Sequence, residues 1–187
     1  MSVRALFLDR DGVINDEVGY LSRTEDVRFV EGIFSLCRTA RRLGYRVIVV
    51  TNQSGIARGL YTGADFESLM EWMRAAFRAE GVELDAVYHC PYHPEHGVGA
   101  YRREHEDRKP GPGMLLRAAR ELGVDLATSV MVGDRCSDIA AANAAGLRRS
   151  FLLAGAEMGC PGAHVKVGRL AEVEAWLEQD TGTAGLV

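Results

Sequence analysis

The sequence has no surplus of positive charge. Its 22 Lys and Arg stand against 26 Asp and Glu, a formal charge of -4, and the two signs are interspersed, which argues against the electrostatic footprint of a nucleic-acid binder. It also has no apolar run near the roughly 18 residues of a membrane span. The first apolar stretch stops at Asp9, too early for the hydrophobic region of a signal peptide, so a cytoplasmic address is the expectation. Cysteine is sparse: Cys37, Cys90, Cys136 and Cys160 show no C-x-x-C spacing. A domain of this size needs no covalent staples, so reduced thiols are expected. Internal repeats, low-complexity tracts and linker-like segments are missing as well. The 187 residues, 47% of them hydrophobic, are enough for one domain with a sizeable core. We expect it over residues 1–179, with 180–187 as a flexible tail.

What is present is alternation. Short apolar runs at 5–8, 47–50, 86–89, 130–132 and 151–153 read as buried strands. Between them lie amphipathic segments at 34–43, 114–122 and 137–145, each followed by a glycine. The clearest helix puts Phe66, Leu69, Met70, Met73 and Phe77 on one face, with Thr62 and Asp65 as a capping-box start and Gly81 as its stop. That stripe is core packing. The fold class expected is α/β: a Rossmann-like parallel sheet with helices on both faces, whose ligands bind at the carboxyl ends of the strands.

Four motifs sit at such ends. Asp9-Arg10-Asp11-Gly12 follows the first run, and in extended geometry its two carboxylates project to one side. Held close, they require either a cation or a shared proton, which suggests a divalent metal or nucleophile-plus-acid chemistry; capping of a turn is the plain alternative. Thr51-Asn52-Gln53-Ser54-Gly55 offers a hydroxyl, an amide and turn N–H groups to a phosphoryl group, or is simple turn chemistry. Arg108-Lys109-Pro110 brings a compact positive charge on a stiffened approach. Gly133-Asp134-Arg135, with Ser137 and Asp138 following, adds a third carboxylate. Together they fit a magnesium site that binds a phosphate dianion.

In this order, D-R-D-G-V-I-N, T-N-Q-S-G, R-K-P and G-D-R-x-S-D resemble the haloacid dehalogenase superfamily of phosphohydrolases. Within it, they are similar to the branch that holds heptose 1,7-bisphosphate and histidinol-phosphate phosphatases. The likeness runs from about Leu6 to Phe151. It implies Asp9 as nucleophile, Asp11 as acid and then base, and Thr51 and Lys109 on the transferring phosphoryl group. It implies Mg2+ on Asp9, Asp134 and the Asp11 backbone carbonyl. Glu17, Val18, Gly19, Tyr20, Gln53, Ser54, Arg108 and Arg135 would contact substrate, with Asn52 beside them orienting the loop. Arg108 is the expected ligand of a second phosphate.

No large cap domain is expected, so the segments 16–28 and 91–110 define the cleft. Many relatives hold a structural zinc in the second of these. Here the positions read Cys90-Pro91-Tyr92 and His105-Glu106-Asp107, where Tyr92 and Asp107 are poor replacements for His and Cys; His93 or His96 with Cys90 and His105 would supply enough donors but at spacings unlike the relatives', and zinc is expected absent. The partner implied is a small phosphosugar, with no nucleic acid and no membrane, and the protein is expected to be a monomer. A catalytically silent phosphosugar-binding protein would require loss of a motif residue, and Asp9, Asp11, Lys109 and Asp134 are all present.

Overall fold

Apolar character on both faces of a strand demands cover on both sides, and this decides the architecture. In the computed structural model, which describes residues 3–153 and 159–183, β1 (Arg4–Leu8) runs through the middle of a six-stranded parallel sheet. The order is β3-β2-β1-β4-β5-β6, where β2 is Tyr45–Asn52, β3 Ala86–Cys90, β4 Val130–Gly133, β5 Arg149–Leu153 and β6 Val165–Val167. Leu8 is in register with Val49 on one side and Val132 on the other. The carboxyl ends of β1, β2 and β4 therefore open at one level. The chain adds β2 and β3 on one flank and then returns to add β4 on the other. The crevice between β1 and β4 is thus the topological switch point, where such sheets bind ligands.

Alternation along each strand splits the core in two. Leu6, Leu8, Val47 and Val49 pack with α1 (Ile33–Arg42), α3 (Gly63–Ala79) and α6 (Leu170–Thr183). Ala5, Phe7, Ile48 and Val50 pack with α4 (Gly113–Leu122) and α5 (Cys136–Ala144). The α3 stripe is buried as read from its spacing. Its capping box is formed: Thr62 Oγ1 accepts from the Asp65 N–H at 3.1 Å and the Asp65 carboxylate accepts from the Thr62 N–H at 2.7 Å. No helix among the described residues is long and apolar enough to cross a membrane, and no inserted domain interrupts them.

Three elements were not anticipated. A single turn, α2 (Ser54–Ala57), follows the T-N-Q-S-G loop. Beyond β5, β6 and α6 complete the sheet edge and its cover. Leu170, Val173 and Leu177 bury one face of α6, a spacing legible in the sequence. This helix carries 180–183 with it, and Asp180 meets Arg148 at 2.5 Å. The expected tail is therefore helical in its first half, and its remainder, 184–187, lies outside the described residues.

The cysteines need a second correction. Cys37 and Cys90 are free, as expected, and buried, but Cys136 and Cys160 form a disulfide. Their 24-residue separation conceals the proximity. Strands β4 and β5 are parallel neighbours, and Cys160 lies beside the first turn of α5, the helix that follows β4. There the Cα atoms lie 4.8 Å apart, within bonding reach.

Candidate active site

Asp9 is the first residue beyond β1. Its N–H donates to the Val132 carbonyl at 3.1 Å, which ties the strand end to β4, and the residue is almost fully buried. Its Oδ1 lies 2.9 Å from Lys109 Nζ. That ammonium, also buried, meets Asp138 Oδ1 at 2.6 Å and donates to the Val50 carbonyl at 2.9 Å. Asn52 spends both ends of its amide on the Lys109 backbone, accepting from its N–H at 3.0 Å and donating to its carbonyl at 2.9 Å. The T-N-Q-S-G and R-K-P loops are thus clamped together, and Asn52 acts on the loop more than on the cleft.

Asp134 faces this group from the end of β4. Two glycines make the approach possible. A Cβ on Gly12, which also has φ +85°, would fall 2.2 Å from Asp134 Oδ2, and one on Gly133 would fall 2.2 Å from the Asp138 side chain. Oxygens of Asp9, Asp134 and Asp138 come within 4.8 Å of one another, the one such acidic cluster among the described residues. Crowding has electrostatic consequences. Burial, with Asp138 and Asp134 adding to it against the pull of Lys109, pushes the Asp9 carboxyl up to about 7. Burial and Asp138 push Asp134 up to about 6. Burial acts to lower Lys109, but Asp138 and Asp9 outweigh it and raise its pKa.

Asp11 is placed differently from expectation. Its carboxylate does not join the cluster, because the chain leaves extended geometry after Leu8: the Gly12 N–H bonds back to the Asn15 carbonyl at 2.7 Å and Arg10 turns inward, fully buried. Asp11 Oδ1 accepts from Arg10 Nε at 3.1 Å and from Asn15 Nδ2 at 3.0 Å, while Oδ2 accepts from Arg10 Nη2 at 2.8 Å and Gln53 Nε2 at 3.1 Å. The third carboxylate of the cluster is Asp138. Its signal was its place in the first turn of α5, the helix that starts two residues after Asp134. Asp138 also accepts from the Arg135 N–H at 3.0 Å.

Both aspartates of the first motif nevertheless line one cleft of about 650 Å³, with Thr51 and Lys109. Of the residues expected at the substrate, Glu17, Gly19, Tyr20, Asn52, Gln53, Ser54, Arg108 and Arg135 line it too. Val18 does not. It is half exposed and borders a separate shallow hollow with Leu21 and Arg28, because Gly19 at φ +69° and Tyr20 at φ +50° turn the segment around it. Glu17 bridges the mouth, meeting Arg135 at 2.9 Å and accepting from the Gly19 N–H at 2.8 Å. The expected list omitted Gly55, Tyr61, Pro110 and Ser137, which complete the lining.

The cluster suits a hard divalent cation. Its donors are all carboxylate oxygens, and Asp134 Oδ1 is buried with no hydrogen-bond partner, a lone-pair site that a cation satisfies.

The HAD-hydrolase-like family description matches residues 107–180. A crystal structure of D,D-heptose 1,7-bisphosphate phosphatase from B. bronchiseptica, complexed with magnesium and phosphate, superposes with a TM-score of 0.82 at 30% identity, over 95% of this chain and 99% of that one. The parallel sheet and its strand-end motifs are those of a haloacid dehalogenase-like hydrolase. D-glycero-alpha-D-manno-heptose-1,7-bisphosphate 7-phosphatase of Burkholderia mallei is 51% identical over 82% of this chain and 81% of its own length. The D-glycero-beta-D-manno counterpart of Vibrio cholerae is 49% identical over 82% of each. The chain belongs to this family of D-glycero-D-manno-heptose-1,7-bisphosphate 7-phosphatases.

Proposed function

We propose that the protein is a magnesium-dependent phosphomonoesterase that removes the 7-phosphate of D-glycero-D-manno-heptose 1,7-bisphosphate through an aspartyl-phosphate. The observation that carries this reading is Asp9, buried at the switch point against Lys109 and beside two more carboxylates. A carboxylate oxygen of Asp9 attacks phosphorus, the P–O bond to the sugar breaks, and Asp11 supplies the proton that the leaving oxygen takes. Asp11, then a base, takes a proton from the water that opens the acyl phosphate. Asp9 and Asp134, with the Asp11 carbonyl, would hold Mg2+. When bound, it favours the ionised form of carboxyls that burial has pushed towards neutrality and offsets charge on the phosphoryl group. Lys109 holds and neutralises the nucleophile, and Thr51 faces the phosphoryl oxygens.

Arg108 reads the other phosphate. It lines the cleft, and its guanidinium donates to the Tyr92 carbonyl at 3.2 Å. Among the described residues no carboxylate lies within ion-pair distance of it. Burial lowers its pKa against the pull of Cys90 and Glu104, with nearby Arg58 adding to the lowering, so an anion beside it offsets the cost of its burial. Arg108→Ala therefore costs about 1.5–3 kcal/mol in kcat/KM for the bisphosphate and far less for monophosphates. Steady-state kinetics on both substrate classes checks this, and equal losses would move Arg108 to the transferring phosphate. Relatives of nearly equal identity carry opposite anomers in their names. We assign that choice to the Arg108 side of the cleft, so the same kinetics should use both anomers.

We further propose that the 91–110 loop works without zinc. Tyr92 stacks on His105 at 4.7 Å and carries the Arg103 guanidinium at 3.9 Å. Asp107 pairs with Arg117 at 2.8 Å, and the His93 and His96 rings lie tilted against each other at 4.6 Å. Elemental analysis of protein purified without added metal is expected to find far less than one zinc per chain, and stoichiometric zinc would overturn this. A cytoplasmic monomer remains our reading, its location supported by a bisphosphate substrate whose charge keeps it from crossing a membrane.

A further inference from the structure

Tyr61 belongs to none of the four motifs. It lies between α2 and α3, nearly buried, with its ring laid over Gly55, where a Cβ would come within 2.1 Å of the ring. Its hydroxyl reaches Gln53 Oε1 at 2.5 Å. Gln53 is itself almost fully buried, so the direction of its amide is decided by protein partners alone. With Oε1 taken by the phenol, the two N–H groups of Nε2 point the other way. One goes to Asp11 Oδ2 at 3.1 Å and the other to Thr51 Oγ1 at 2.8 Å. The reversed amide would set its oxygen against the Asp11 carboxylate. Burial pushes the Tyr61 phenol up to about 12, which keeps the hydroxyl a donor throughout the neutral range.

The arrangement has two consequences for the cleft. Asp11 Oδ2 is held by Gln53 as well as by the sequence-adjacent Arg10. Thr51 Oγ1, having accepted a hydrogen bond from Gln53, keeps its own proton for an oxygen in the cleft. We infer that Tyr61 is a positioning residue of the hydrolytic site: it fixes the Gln53 amide so that one side chain holds the acid-base carboxylate and the phosphoryl-facing hydroxyl together. The inference rests on the phosphatase reading and adds a residue to it.

The test is a double-mutant cycle on kcat. Tyr61→Phe removes one oxygen and keeps the ring, and it is expected to lower kcat on the bisphosphate about fivefold to tenfold, the effect of one hydrogen bond, with KM within about twofold. In a Gln53→Ala background the same change is expected to have no effect beyond about twofold, because nothing remains for the phenol to orient. Thermal melts confirm that each variant is folded at the assay temperature. If Tyr61→Phe is not, Gly55→Ala, which displaces the ring, supplies the first arm with the same expected loss. Wild-type kcat in Tyr61→Phe overturns the inference, as does an equal loss with and without Gln53. A wild type that releases no phosphate from bisphosphate or aryl phosphate refutes the phosphatase reading, and the inference with it, and so separates the two failures.

Discussion

Asp9→Asn is expected to reduce phosphate release by about a thousandfold or more while leaving a folded protein, because the amide matches the carboxylate in shape but is no nucleophile. The same change has a signature in stability. The folded-state pKa of Asp9, about 7, stands above its ordinary value of 3.8. Between these values the native state holds a proton that the unfolded state has released, so stability from this group is fully present below 3.8 and is lost as pH rises through about 7. Asp134, pushed up to about 6, acts in the same direction. The metal-free protein should therefore melt at a lower temperature at pH 8 than at pH 5, and Mg2+, which favours the ionised carboxyls, should raise the melting temperature more at pH 8. In Asp9→Asn both differences shrink. A folded Asp9→Asn with substantial turnover would sink the covalent mechanism. A Mg2+-induced shift equal at both pH values would remove Asp9 and Asp134 from the cation site.

The parts of this site that were legible in the sequence are those where chemistry follows directly on an apolar run. Asp9 after β1, Thr51 at the end of β2 and Asp134 after β4 needed only the rule that parallel sheets bind ligands at carboxyl ends, together with strand register. Illegible were the contacts that depend on where separate loops converge. The two-carboxylate grip on Lys109 joins residues 100 and 29 positions apart in sequence, from the Asp9 and Asp138 sides. The turn of Asp11 onto Arg10 required a backbone that leaves extended geometry one residue after the strand, and an arginine that reads as surface is fully buried. Tyr61 stands in a connection with no periodic signal. The disulfide and β6 share one cause: both are settled by what lies beside β5, which no local pattern records. The stripe of α6, by contrast, was present in Leu170, Val173 and Leu177 and was missed because the family likeness ends near Phe151.

Lys109→Met is expected to damage activity and stability together, which distinguishes it from Asp9→Asn. The ammonium donates to the Val50 carbonyl and has oxygens of both Asp9 and Asp138 within ion-pair distance. Methionine fills similar volume but leaves two buried carboxylates with no cation between them. Breaking a buried ion pair on one side costs about 3–5 kcal/mol, and loss of the charge beside the nucleophile should lower kcat by about a hundredfold or more. The pH dependence identifies the cause. Lys109, whose folded pKa is raised, contributes stability that is present below its ordinary value of 10.5 and is lost only above it, so in wild type it is charged across pH 5–8. In the variant the orphaned carboxyls take up protons instead. The loss of stability should therefore be smaller at pH 5 than at pH 8, and Mg2+ should restore part of the melting temperature without restoring turnover. Lys109→Arg should not rescue, because a planar fork cannot place three donors around one point in a pocket sized for an ammonium. Thermal melts at the two pH values, with and without Mg2+, make the comparison. A Lys109→Met protein as stable as wild type at pH 8 would mean that Asp9 and Asp138 are not held by this ammonium, and full turnover would remove Lys109 from the mechanism.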